Sequence, residues 1–181
     1  MVEFARELDG ITDFQPWDLS YYSNKLKEKK YAYSPEELRP WFKVEDVLEG
    51  LFIVAHRLYG IEMKQVHDVP TWHSDVSTWE VYDRDGNYLG LLYLDLFPRE
   101  TKRGGAWQTS FQTAGLHSDG MRRPQVAIVA SLTPSTPAQP SLLLLAEART
   151  IFHEFGHSLH SLLADGYYIG LSGTNVLWDF V

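Results

Sequence analysis

The chain has no cysteine among its 181 residues. That excludes disulfides and thiolate metal ligands, and leaves any metal to histidine and carboxylate. No apolar stretch approaches the roughly 18 residues of a membrane span, so no membrane partner is expected. Cations are the minority, 16 Lys and Arg against 24 Asp and Glu, for a formal charge of −8. Phosphate binding needs concentrated Lys and Arg, so no nucleic-acid partner is expected. The one basic run, Lys25 to Lys30, is broken by Glu28 and reads as a solvated helix face. No signal peptide precedes Glu3, and a cytoplasmic location is the expectation.

What is present is ordinary globular composition, 44% hydrophobic and 22% charged. This argues against disorder and for a sizeable core in one domain. Aromatic content is high at 14%, which serves core packing or surfaces that meet further protein.

Residues 1–60 read as helical. Ser34-Pro35-Glu36-Glu37 is a capping box with proline at the first helical position. Val44, Val47, Leu48, Leu51, Phe52, Ala55, Leu58 and Tyr59 recur at helical spacing, with Gly60 as the stop. Residues 61–132 switch to strand character. Thr78–Tyr82 and Tyr88–Leu94 flank the hairpin signal Asp85-Gly86. Val126–Ala130 is a further short strand, read as an edge that pairs with an extended peptide through Val126–Ser131. Three prolines between Thr133 and Pro140 mark a loop. A helix over 141–164 follows, with Ser141 as N-cap and Asp165-Gly166 as its stop. The fold class is therefore α+β, mainly helical with a small sheet next to this last helix.

That helix carries His153-Glu154-Phe155-Gly156-His157, an H-E-x-x-H motif. Residues four apart share a helix face, so both imidazoles can reach one zinc ion. Glu154 is turned about 100° away, beside the metal rather than on it. There it suits a general base that takes a proton from zinc-activated water and later returns it to the leaving amine. Gly156 is a weak helix former, and close backbone approach is one reason for it. His160 shares the face but lies about 10 Å along the axis from His153, and is read as a packing or supporting residue. The metzincin pattern needs glycine three and histidine six residues after the second histidine. Those positions hold His160 and Leu163. The remaining common solution is a later glutamate, yet downstream of His157 only Asp165 and Asp179 are acidic. Asp165 sits too near the helix end to fold back. His56 reads as a satisfied, partly buried histidine, and His67, His73 and His117 lack ligand spacing. Asp95 and Arg99 read as a structural ion pair.

Phe152–His160, followed by Leu171-Ser172-Gly173-Thr174-Asn175-Val176-Leu177-Trp178-Asp179-Phe180-Val181, resembles the thimet oligopeptidase, oligopeptidase A and peptidyl-dipeptidase family. Upstream, Pro16-Trp17-Asp18 with Tyr21-Tyr22, Arg57–Gly60, Trp72–Val76, Tyr93–Arg99 and Lys102–Trp107 fit the same family. Departures fall at Ser131-Leu132 and at Leu145-Ala146-Glu147-Ala148. The resemblance implies a zinc metallopeptidase for short peptides, largely helical with a small sheet by the site. Its third zinc ligand is a glutamate one residue beyond Val181, and its oxyanion-stabilising groups lie further on. Residues 1–181 are thus expected to be a partial catalytic domain, with 165–181 leading into a third-ligand helix.

The leading expectation is zinc-dependent hydrolysis of oligopeptides, with His153 and His157 as ligands and Glu154 as base. This chain by itself is expected to bind zinc weakly and to show negligible activity. The alternative is a non-catalytic peptide- or partner-binding remnant with an incomplete metal site. A structural zinc is the weakest reading, since such sites have four protein ligands. Oligomeric state is not legible.

Overall fold

Tyr22 gathers the N-terminal segment around itself. Helices α1 (Val2–Asp9) and α2 (Leu19–Tyr31) and the segment between them bring Phe4, Tyr21 and Phe14 against its ring, at centroid separations of 6.5, 5.0 and 5.9 Å. Its hydroxyl donates to Asp9 at 2.9 Å, and burial together with that bond pushes it up to about 12. The short α3 (Pro35–Leu38) starts at Ser34, whose hydroxyl accepts from Glu36 N at 3.3 Å. The computed structural model describes residues 1–32 and 34–177. They divide into two units, Met1–Arg39 and the chain from Pro40 onward.

The boundary falls before the helix that the sequence grouped with residues 1–60, because that helix packs on the sheet. Helix α4 (Val44–Tyr59) buries Val44, Val47, Leu51 and Ala55, and Gly60 ends it at φ 70°. Strands β1 (Glu62–Val66), β2 (Ser77–Tyr82) and β3 (Tyr88–Asp95) follow as an antiparallel meander. The β2–β3 turn forms where Asp85-Gly86 predicts it, with the Asp83 carboxylate accepting from Asp85 N and Asn87 N at 2.9 and 2.8 Å. Then come β4 (Trp107–Gln112), the hairpin β5 (Gly115–His117) and β6 (Gly120–Arg122), β7 (Gln125–Val129) and α5 (Leu145–Leu162).

The main sheet has the order β1-β2-β3-β7-β4. Strand β7 runs parallel to β3 and antiparallel to β4, so both of its edges are hydrogen-bonded. The reading of Val126–Ser131 as a peptide-pairing edge is therefore overturned. The loop after β3 returns β4 along the outer side of β7, and β4 becomes the edge at that end.

Strand alternation sorts the sheet into two faces. Leu92, Leu94, Val126 and Ile128 join Leu51 of α4 and Ile151, Phe155 and Leu162 of α5 in the main core. Burying each such side chain is worth about 1.5–3 kcal/mol. The opposite face carries Leu91, Tyr93, Ala127 and Val129 under Val76, Val66 and Trp107. Helix α5 thus lies across β7, β4 and β3, with the edge strand beside it.

Candidate metal centre

Helix α5 begins at Leu145 with Leu144 as its N-cap, three residues later than the N-cap reading of Ser141. The reason is a pairing distant in sequence. Val44 N donates to Ser141 O at 3.0 Å and Leu143 N to Phe42 O at 2.8 Å, bridging Lys43 and Leu142. Residues 141–143 are held extended, and the Ser141 hydroxyl, buried, donates to Thr133 O at 2.6 Å. Glu147 performs the capping instead, accepting from Leu144 N at 2.6 Å. The helix ends at Leu162, short of 164.

On this helix His153 and His157 stand one turn apart, their Nε2 atoms 3.1 Å from each other and their rings nearly perpendicular at 89°. Two nitrogens each about 2.0–2.1 Å from one zinc ion must lie within about 4 Å of each other. The pair fits a single ion, and imidazole is a donor zinc accepts. Glu154 is nine-tenths buried, while His153 is exposed and His157 half-buried. Its carboxylate has no hydrogen-bond or ion-pair partner among the described residues. It opens onto a groove of about 860 Å³ shared with His153 and Phe152. It also opens onto a cavity of about 270 Å³ shared with Ala106, Ala130 and Glu147. The buried carboxylate thus follows the first of the paired imidazoles by one residue along the helix. This arrangement suits addition of water to a polarised carbonyl.

Among the described residues no third His, Cys, Asp or Glu completes a metal cluster. His160 is half-buried and lines a different groove with Tyr59, Leu163 and Asp165. Asp179 lies outside the described residues. Gly156 faces open space among them. His56 is exposed rather than partly buried, with Nδ1 3.2 Å from Ile61 O. His73 Nδ1 accepts from Asp75 N at 3.2 Å, and His117 Nε2 lies 3.0 Å from Thr113 O.

Two supporting arrangements were not evident in the sequence. The Asp95–Arg99 pair exists, bidentate at 2.8 Å, but Asp95 also takes Lys102 Nζ at 2.8 Å and Trp72 Nε1 at 3.0 Å. Burial alone would raise the Asp95 carboxyl; the bonds from Arg99, Lys102 and Trp72 outweigh it and hold the group well below the usual carboxylate range. The cluster anchors the start of the loop that leads to β4. Arg123 joins the sheet to the last turn of α5 through Leu89 O, Leu162 O and Ala164 O. The only local signal for Glu147 was its place three residues after the cap; Arg123 had none.

The family model for peptidase family M3 matches residues 1–181. Oligopeptidase A of Escherichia coli (strain K12) is 41% identical over 180 residues, covering 98% of this chain and 26% of that protein. Dipeptidyl carboxypeptidase of Salmonella typhimurium is 40% identical over 176 residues, 97% of this chain and 25% of that protein. A probable cytosolic oligopeptidase A of Arabidopsis thaliana is 36% identical over 186 residues, 98% and 26% respectively. The chain spans about a quarter of the length of these curated relatives.

Proposed function

Since the chain belongs to peptidase family M3, we propose that its residues from Pro40 onward form part of a zincin-type metallopeptidase site acting on short peptides. The observation that carries this is the 3.1 Å approach of the His153 and His157 Nε2 atoms beside the buried, unpartnered Glu154. His153 and His157 would hold the zinc ion, which when bound supplies Lewis-acid polarisation of the scissile carbonyl and of water. Glu154 takes a proton from water as its oxygen adds to the carbonyl carbon. The same carboxyl then delivers that proton to the departing amine nitrogen as the C–N bond breaks.

The exposed edge of β4 is the place for an extended peptide, since backbone pairing there brings the chain alongside α5. Gln108 and Ser110 stand on the α5 face of that strand, in register with Ile128 and Val126. Oligopeptidase A and dipeptidyl carboxypeptidase relatives support a peptide substrate, endo- or dipeptide-releasing. No helix of the described residues is long and apolar enough to cross a membrane, and the cytosolic relative supports a cytoplasmic setting.

A second reading, a peptide- or partner-binding unit without catalysis, is favoured by the lack of a third ligand among the described residues. With two histidines the ion is held loosely by this chain. Calorimetric titration with zinc separates the readings. One weak site is expected, lost by more than about tenfold in His153→Ala or His157→Ala and retained in Glu154→Gln. Equal zinc binding by the wild type and both histidine variants would remove the metal from this site and leave the binding unit.

A further inference from the structure

Glu154 also lines the cavity of about 270 Å³, which neither His153 nor His157 lines. At that volume it is below the ~300–1,000 Å³ of sites for free small molecules, and suits one side chain of a larger ligand. Its walls are largely apolar, from Ala106, Ala130, Leu132 and Ile151, with the hydroxyl residues Ser131 and Thr150 among them. Its polar groups are unbalanced. Glu147 and Glu154 both face it, and among the described residues no Lys or Arg lines it or pairs with either carboxylate. The nearby cation Arg103 is engaged elsewhere, stacked on the Trp107 ring at 5.2 Å. Glu147 uses Oε2 to cap the helix, which leaves Oε1 for a ligand. Seven residues separate the two glutamates, about 10 Å along the helix axis. A group that enters beside Glu154 must therefore be long to reach Glu147.

We propose that this cavity is a subsite for one long cationic side chain, lysine or arginine, of a bound peptide. The aliphatic stem lies along Ala106, Ala130 and Leu132, as such stems do on apolar surface. The charged end meets Glu147 in a charge-assisted hydrogen bond. Glu154 remains beside the peptide bond to be cleaved. The proposal rests on the reading of this site as one for peptides, and adds a preference that the metal motif does not imply.

The test uses the 181-residue chain and two blocked alanine pentapeptides, one with lysine at its centre and one with norleucine, titrated by calorimetry. The lysine peptide should bind about tenfold tighter, with the advantage shrinking as salt rises. Glu147→Gln keeps an acceptor for Leu144 N, so the helix cap survives, and should bring the lysine peptide to the norleucine value. Equal affinities in the wild type would overturn the subsite while leaving the peptide site in place. A lysine preference that persists in Glu147→Gln would do the same. If neither peptide binds the wild type, the peptide-site reading falls and the subsite falls with it. The wild-type comparison decides the matter even if the variant is unstable.

Discussion

Arg123 donates from Nη2 to the carbonyl of Leu162 at 2.8 Å, across 39 residues of sequence. Its other donors reach Ala164 O at 3.2 Å and Leu89 O at 2.8 Å. The last carbonyls of a helix have no partner within it, and a cation there also meets the negative end of the helix dipole. One guanidinium thus closes the end of α5 and fixes it to β3.

Replacing Arg123 with alanine leaves three carbonyls without that donor. A loss of about 2–4 kcal/mol in unfolding free energy is expected. Lysine should recover only part of it, because an ammonium cannot present the fixed fork of a guanidinium. Urea unfolding of the two variants checks this; equal stability of Arg123→Ala and the wild type would remove the clamp.

The same junction needs Gly90. A Cβ there would sit 2.6 Å from Pro124 O and 2.8 Å from a Leu162 methyl, and the Pro124 carbonyl is held by Leu91 N at 3.0 Å. Gly90→Ala should cost about 1–3 kcal/mol by forcing α5 away from the sheet. Thermal unfolding tests it, and an unchanged midpoint would mean that the contact yields freely.

Asp95 sets an acid limit on stability. Its folded pKa is depressed, so in the acid range the unfolded chain binds more protons than the folded one. Its contribution is complete above the ordinary aspartate value of about 3.9, and is lost as pH falls below that toward the folded value. Asp95→Asn, which strands the buried Lys102 ammonium, should cost about 3–5 kcal/mol near neutrality. The gap to wild type should narrow below about pH 4. Urea titrations at several pH values test this; a gap independent of pH would assign the cost to packing rather than charge.

How much of this was legible in the sequence follows from the range of each interaction. The end of α4 at Gly60, the Asp85-Gly86 turn and the His153–His157 pair depend on residues within a few positions, and periodicity and turn chemistry reveal them. The start of α5 does not, because the bridge from Lys43 to Leu142 competes with the Ser141 cap. The pairing of β4 on β7 is likewise set by the return of a loop, so the exposed edge is Trp107–Gln112 rather than Val126–Ser131. Nothing local in the sequence marks the partners of Arg123 and Lys102, because the fold brings carbonyls and a carboxylate to them from elsewhere in the chain.

We propose that His153 and His157 together hold one zinc ion. The most direct measurement is long-range ¹H–¹⁵N correlation on chain labelled with ¹⁵N-histidine, which has seven histidines, followed through a zinc titration. The Nε2 resonances of His153 and His157 should shift together and saturate at one ion per chain. Zinc-dependent shifts at His56, His67, His73 or His117, with this pair unmoved, would contradict it.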